Sequence, residues 1–583
     1  MFKADLLYSD EEHIYKKQKL IDDSVFDDLK IKQIFEFCAN LDFDGIKESD
    51  LQYTFEILKS PCQLKKDMLF RQEIFKQLLA SKPLINGLYT ALGDIAVLLR
   101  IREDYDFAYG GESDIEYLKA VNYIFFIKSY QVYLNNLFEL VKDIKFDNQS
   151  GLYNFAQEIK TEREKYISTE ISEPVEELLS YFDDKTNILG ELRTQNGVFS
   201  VFNFDTDEKY IKSTLPEKIP FIDLIKNMEE YLDIYKIENE VRPKVNTLSI
   251  DTELYLPDKY TNFEKRFILQ LLYDEEIDKN INFSPLAKKI IEIHDSIDIS
   301  SFSTVFDQMK FYRTICKVLN TISNTCINSL CYPIIHENDV KLNINNVFDP
   351  VILVQKLAEY KEKNRTNNLP EEKISDIIPN DISFENKNLY VVTGPNNGGK
   401  TAFARAIGIS LIFFGAGSPI MAENAELSVG INVMTHFTAS ETHLQESGRL
   451  QHELARLNEI IEKSDDFSFI ILNETFAGTN SVKALDLFDD FLDKTDKINF
   501  RCIYVTHFHN IAFFLEDIQS KDGADIQRKY TKSDNLIAVI DNDTGGRTYK
   551  ILPTQPSDTS YSKDIVKKHR LTWEQLQQLL INK

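Results

Sequence analysis

The sequence predicts an α/β domain built on a phosphate-binding loop in its C-terminal part, behind a mainly α-helical N-terminal region. Three observations carry this. A short β-branched run, Tyr390 to Thr393, ends in Gly394-Pro395-Asn396-Asn397-Gly398-Gly399-Lys400-Thr401, and an apolar stretch of helical character, Ala402 to Phe414, follows. That is the P-loop pattern in its required context, strand before and helix after. A second apolar run, Phe467 to Leu472, ends in Asn473-Glu474, as a buried parallel strand does when it delivers polar groups to its C-terminal edge. From Phe26 to about Ile144, apolar residues (Leu51, Phe55, Leu58; Met68, Ile74, Phe75, Leu78, Leu79) recur largely at spacings of three and four, the helical period.

Composition sets the bounds. With 583 residues the chain has room for roughly three or four domains, and its 43% hydrophobic and 27% charged residues are ordinary for a soluble protein. The net charge of −26, from 67 basic against 93 acidic residues, repels a polyanion globally, so nucleic-acid contact is confined to local basic surfaces. The six cysteines (Cys38, Cys62, Cys316, Cys326, Cys331, Cys502) form no CxxC pair, which reads as buried thiols of a reduced, cytoplasmic protein. Met1 to Asp10 turns charged almost at once, unlike a secretory signal. The greasiest stretch, Val121 to Val141, is interrupted by Lys128, Gln131, Asn135 and Asn136, and Ala406 to Gly417 is too short to span a bilayer, so both are expected as buried helices and no membrane partner is expected.

In chain order, residues 1 to about 28 are polar and read as a solvated arm. The helical region after them breaks at Ser60-Pro61, Lys82-Pro83 and Gly110-Gly111. Two charged helices, Asn154 to Tyr166 and Pro174 to Phe182, follow; then Gly197 to Phe204, rich in β-branched and aromatic residues, reads as a strand. Pro216, Pro220, Pro243 and Pro257 break the next region into short pieces, and helical periodicity returns over Asn262 to Tyr273 and from Ser284 to about Cys331. Tyr332 to Pro379 holds short strands, a helix near Val351 to Lys363 and a polar loop, Asn364 to Glu372.

The loop residues Gly394, Pro395, Asn396, Asn397, Gly398 and Gly399 are of the type that turns backbone N–H groups inward around phosphate oxygens, with Lys400 reaching the β/γ-phosphates and the Thr401 hydroxyl suited to Mg²⁺. Glu474, at the end of the second apolar run, is placed to polarise a water for attack on a γ-phosphate. A further strand, Cys502 to Val505, ends in Thr506-His507, where a His can bond the phosphate or that water. Ser447-Gly448-Arg449 opens a helix whose Leu450, Leu454, Leu457 and Ile461 share one face; Ser447 reads as its N-cap, and such a terminus can receive a phosphate from another subunit.

These blocks, Thr393 to Thr401, Ser447 to Ile461, Phe469 to Ser481 with Gly478-Thr479-Asn480-Ser481, and Tyr504 to His507, together resemble the ATPase domain of the MutS mismatch-repair family, within the ABC-type ATPases. Thr548 to Ile551, Ser560 to Val566 and the closing helix Trp573 to Ile581 resemble that family's C-terminal elements. After the polar arm over 1–28, the resemblance implies a helical core-like domain over 29–150, lever helices with a small mixed insertion over 151–335, a connector over 336–374, and a MutS-type ATPase domain with a helical dimerisation element over 375–583. It implies ATP and Mg²⁺ as cofactors, with Thr401 and Asn473 at the metal, Glu474 and His507 as catalytic residues, and Ser447 or Gly448 as the contact made in trans. The implied partners are a second copy of the chain and DNA, duplex or branched, gripped by an ATP-driven clamp; a ribosome or structured RNA, or a protein bound to a nucleotide-gated scaffold, is the alternative.

Three departures from the family pattern shape these expectations. Asn473 stands where the family has an aspartate, which predicts slow hydrolysis. The signature serine before Glu453 comes one residue early. Core-like sequence begins near residue 28, so the domain that inserts a Phe-x-Glu wedge at mismatches, and mismatch reading with it, is not expected; nor is the small nuclease domain found after some relatives' ATPase.

Overall fold

The computed structural model describes residues 4–10, 19–41, 45–100, 102, 116–142, 151–186, 189–195, 198–203, 283–337, 339–366, 368–438, 446–495, 499–519, 532–541, 546–555 and 577. The Gly110-Gly111 break, the proline-broken stretch, the helical period at Asn262 to Tyr273 and, apart from residue 577, the closing segments from Ser560 lie outside them. The chain divides into two compact units. One comprises Met1–Ala4, Asn86–Asn148 and Tyr153–Phe306, the other Asp5–Ile85, Gln149–Leu152 and Asp307–Lys583.

The first unit is built from helices Glu116–Val141, Thr169–Thr186 and Phe283–Asp295, most of helix Gly151–Ile167, and one hairpin. Its core is aromatic. The buried rings of Tyr130 and Tyr166 meet edge-on at 5.1 Å and those of Tyr133 and Phe302 at 5.3 Å, an arrangement that aligns ring edges with ring faces. The Tyr166 hydroxyl donates to the Ser296 carbonyl at 2.9 Å, so this buried phenol is satisfied. Pro174 lies inside helix Thr169–Thr186, not at its start, where it removes a single backbone donor. The strand expected at 197–204 is β2 (Val198–Asn203), and it pairs antiparallel with β1 (Leu189–Gln195). The sequence Leu-Gly-Glu-Leu-Arg-Thr-Gln hides β1 because it lacks a sustained apolar alternation.

In the second unit the strands are β3 (Ile334–His336), β4 (Leu342–Val347), β5 (Asn380–Ser383), β6 (Leu389–Thr393), β7 (Asn424–Ser428), β8 (Asn432–Phe437), β9 (Ser468–Asn473), β10 (Arg501–Val505), β11 (Ser533–Ile540) and β12 (Arg547–Leu552). They form a six-stranded sheet in the order β12-β11-β6-β10-β9-β8 and a four-stranded sheet in the order β3-β7-β4-β5. From β11 to β8 every pairing in the larger sheet is parallel, and β12 closes one edge antiparallel to β11. Strands β9 and β10 are buried nearly throughout, which is why they read as continuous apolar runs.

Helix Lys400–Gly415 follows β6 and is buried at every residue except Thr401 and Ala402. A Cβ on Gly408 would meet Ile471 Cδ1 of β9 at 2.8 Å and Leu29 Cδ1 at 2.9 Å. The helix is therefore covered by the sheet on one side and by the N-terminal segment on the other, and a helix apolar all round is one buried all round. The N-terminal residues are packed, in contrast to the solvated arm expected there. Leu6 and Leu7 are buried, their carbonyls accept from Tyr312 Oη (2.5 Å) and Arg71 Nε (2.9 Å), and Asp23–Asp28 forms a short helix capped by Asp22.

Side chains join the two sheets, among them Tyr390 of β6, whose hydroxyl donates to the Ser383 carbonyl of β5 at 2.7 Å. Asn380, at the start of β5, donates from Nδ2 to the Tyr549 carbonyl at 3.1 Å and accepts at Oδ1 from the Ile551 N–H at 2.8 Å. Between these two residues β12 carries a bulge: Tyr549 has φ 57° and the register with β11 shifts beside it.

Candidate functional site at the ends of the parallel strands

The sheet order brings the C-terminal ends of β6, β10 and β9 side by side. Strand β10 lies between β6 and β9, so the acidic strand end is not the immediate neighbour of the loop after β6. The chain reaches β6 first, crosses to β8, returns through β9 and β10, and then crosses β6 to β11. Such a reversal leaves a crevice at the strand ends, the usual ligand position in an open α/β sheet.

The loop after β6 is shaped by its glycines. Gly394 has φ 129°, and a Cβ there would lie 2.8 Å from the Ala538 Cβ and 3.0 Å from that residue's backbone N and O. Gly399 caps helix Lys400–Gly415 with φ 92°, and Asn397 adopts φ 58°. Three positive φ values in six residues turn the chain sharply between β6 and the helix, a backbone conformation that suits loops which receive anions. Across this cradle Lys400 Nζ donates to the carbonyls of Gly394 and Pro395, both at 2.9 Å. Burial holds the Lys400 ammonium below its ordinary pKa range; Glu474 opposes that depression and Arg547 adds to it. The same field reaches His509, whose imidazole is pushed down by burial, then by Lys400 and His507.

The expected catalytic and metal residues converge here. Thr401 Oγ1 donates to Asn473 Oδ1 at 3.0 Å. The next residue, Glu474, takes φ 57°, and its N–H donates to the Val505 carbonyl at 2.8 Å, which turns the carboxylate toward β10. There Glu474 Oε2 lies 2.5 Å from His507 Nδ1. Both side chains keep partial access to water, at 27% for Glu474 and 45% for His507, as groups that meet a ligand must. A hydroxyl and a neutral amide oxygen at the mouth of a phosphate cradle fit Mg²⁺, which takes few protein ligands and completes its shell from phosphate and water. Among the described residues no cluster of three or more His, Cys, Asp or Glu side chains could hold a metal by itself.

Ser447 and Gly448 lie in the first turn of helix Glu446–Lys463. Ser447 is thus inside the helix and not its N-cap, the helix having started one residue earlier. On the inner face of this helix Leu457 is buried, and Leu454 and Ile461 pack against the core formed by β9, β10 and helix Ser481–Thr495. Sequence reading passed over Arg547, Tyr549 and His509. Tyr549 sits 3.6 Å from where a Cβ on Gly399 would be, and the signal for it was the hairpin that returns β12 to the loop.

The site is thus that of an α/β domain with a glycine-rich loop at the switch point of a parallel sheet. Residues 390–552 match the family model described as MutS domain V, so this part of the chain is similar to that domain. It is 25% identical over 409 residues to the DNA mismatch repair protein MutS of Clostridioides difficile, an alignment covering 67% of this chain and 38% of that protein. It is 29% identical over 181 residues to the protein of the same name from Prochlorococcus marinus, covering 29% of this chain and 19% of that one. A third relative of that name, from Streptococcus pyogenes, is 23% identical over 197 residues. The chain therefore spans well under half the length of these relatives. Among the described residues no helix is long and apolar enough to cross a membrane.

Proposed function

We propose that this chain is a cytoplasmic P-loop ATPase of the ABC type that binds ATP with Mg²⁺ at Gly394 to Thr401 and hydrolyses it slowly. We propose further that it works as a homodimer whose nucleotide-driven closure grips DNA. The observation that carries the reading is the convergence of Lys400, Thr401, Asn473, Glu474 and His507 at one crevice. Lys400 neutralises the β/γ-phosphates; Thr401 and Asn473 hold the metal side of the site. Bound Mg²⁺ adds positive charge against the phosphate oxygens. Glu474, its carboxylate fixed by His507, orients the attacking water and takes up its proton. Asn473 lacks the charge of an aspartate, so its hydrogen bonds are the weaker, neutral kind, and turnover is slow for that reason. Ser447 or Gly448, at the start of its helix, completes the partner copy's phosphate cage. DNA is the polymer of choice because the relatives bear the name DNA mismatch repair protein; matched and mismatched duplexes are expected to bind alike.

The test combines ATP binding with single-turnover hydrolysis. Lys400→Ala should lose ATP binding, and Glu474→Gln should retain ATP and hydrolyse it roughly 10²-fold or more slowly. Subunits carrying Lys400→Ala, inactive alone, should regain activity when mixed with subunits carrying Ser447→Arg and Gly448→Arg. Unchanged ATP affinity in Lys400→Ala would refute the site, and full activity in a strictly monomeric preparation would refute the composite site. Salt-dependent binding of the Glu474→Gln protein to duplex and branched DNA tests the polymer; retention of ribosomes or RNA in place of DNA would overturn that part.

A further inference from the structure

We propose that His436 is a positioning residue that couples the helix carrying Ser447 and Gly448 to the loop carrying Glu474 in the same chain, so that the seating of that helix sets the aim of the Glu474 carboxylate. This deepens the hydrolytic reading above and rests on it.

His436 is on β8, the edge strand, opposite Leu472 of β9. It is 1% exposed. An imidazole buried there costs free energy unless both ring nitrogens are used, and an aliphatic residue would fill the space more simply. The ring is used on two sides. Its Nδ1 is 3.0 Å from the Thr475 hydroxyl, and the ring also bonds the backbone carbonyl of Glu453 and that of His436 itself. Glu453 belongs to helix Glu446–Lys463, less than two turns beyond Ser447 and Gly448; Thr475 directly follows Glu474. A single rigid side chain therefore spans from the helix to the loop.

The loop is one that needs holding. Glu474 and Phe476 both have left-handed backbones, with φ 57° and 69°, conformations that persist for non-glycine residues only where the surroundings impose them. Two of its clamps come from β10: the Val505 carbonyl accepts from the Glu474 N–H, and the Tyr504 hydroxyl donates to the Thr475 carbonyl, both at 2.8 Å. The third clamp, His436, is the one that continues into the helix. One turn along, Arg456 NH2 donates to Asp28 Oδ2 at 3.0 Å and to the Thr435 carbonyl at 3.2 Å, so the helix is pinned to β8 beside this link. Burial, with Arg456 adding to it, pushes the His436 imidazole down to about 4. The neutral ring has one donor nitrogen and one acceptor. The link joins helix to loop through the one ring, whichever nitrogen carries the proton.

The experiment uses the full chain and compares the parent with His436→Leu, His436→Gln and Thr475→Val. ATP affinity should stay within about twofold of the parent, while single-turnover hydrolysis at saturating ATP and Mg²⁺ falls roughly tenfold in His436→Leu and in Thr475→Val, the tenfold corresponding to about 1.4 kcal/mol. The double variant should be no slower than either single one, and His436→Gln, which keeps a donor and an acceptor, should recover most of the rate. ATP-induced slowing of amide exchange in 446–463 should extend to 474–479 in the parent and stop short of it in His436→Leu. Parent-like rates in both His436→Leu and Thr475→Val overturn the proposal, as does an equal loss of binding and hydrolysis, which marks a merely structural role. Should His436→Leu not fold, Thr475→Val decides alone. A parent that binds no ATP sinks the hydrolytic reading itself, whereas a hydrolysing parent with unaffected variants sinks only the coupling.

Discussion

The Thr401 hydroxyl and the Asn473 carboxamide meet at 3.0 Å, although Thr401 opens the helix that follows β6 while Asn473 ends β9, and β10 lies between those two strands. The bond closes the site over the intervening strand and fixes the amide oxygen toward the loop. Asn473→Asp keeps that acceptor and adds charge, making the bonds it receives about twice as strong. The expected outcome is a Mg²⁺ half-saturation lowered by roughly threefold to tenfold, in line with about 1 kcal/mol gained when a neutral hydrogen bond becomes charge-assisted, read from single-turnover hydrolysis across a Mg²⁺ titration. An unchanged titration would remove Asn473 from the metal side.

Gly394→Ala is expected to damage binding more than Gly399→Ala. At Gly394 the new Cβ lies 3.0 Å or less from the backbone and side chain of Ala538, whereas at Gly399 the nearest atom is 3.6 Å away. Both positions carry the strain of a positive φ, of order 1–2 kcal/mol, but only the first forces β11 away from β6. Isothermal titration with ATP should show at least a tenfold loss for Gly394→Ala and a smaller one for Gly399→Ala; equal losses would mean that φ alone matters.

The buried pair Asp349 and Arg405 should be costly to break and cheap to replace. Arg405 places Nε 2.9 Å from Asp349 Oδ2, with NH2 on the same oxygen, while Asp349 Oδ1 accepts from the Val351 N–H at 2.9 Å and caps helix Pro350–Asn364. Burial holds the Asp349 carboxyl above its ordinary range despite Arg405. Asp349→Ala leaves a guanidinium buried and unpaired, and about 3–5 kcal/mol of stability should be lost. Asp349→Asn with Arg405→Met should lose less, as measured by the urea midpoint.

Stability should fall on acidification through His436. Its folded pKa, about 4, lies below the ordinary value near 6.5. The unfolded chain therefore binds a proton that the folded chain refuses. The contribution is fully present above pH 6.5 and drains away as pH falls toward 4, by about 3 kcal/mol in all. His436→Gln should flatten that stretch of the stability profile; an unaltered slope would place the lost stability elsewhere.

Much of the site was legible because its parts are local in sequence. The β-branched run before Gly394, the spacing to Lys400 and the apolar run before Asn473 each announce a strand end or a helix start on their own. What joins them was not legible. Strand order depends on which apolar faces pack together, so the insertion of β10 between β6 and β9 leaves no mark in either run. His436 and Thr475 are 39 residues apart, and neither belongs to a local pattern. β1 is mixed in polarity and lacks the clean alternation that marks a strand, whereas Thr548 to Ile551 of β12 is expected as a strand from its resemblance and its bulge at Tyr549 is not. Pro174 reads as a helix start from its chemistry alone, but its neighbours on both sides carry enough helical preference to run past it.

The amide of Asn380 acts on β12 as one residue of an absent seventh strand would, meeting the carbonyl of Tyr549 and the N–H of Ile551. An open sheet edge is a template on which another chain can grow by backbone pairing. Here that template is occupied at its centre by a group that cannot propagate, since a side chain offers one rung and no continuation. The sheet is thereby given a fixed width, and a crowded solution of this protein has one fewer route to fibrous association.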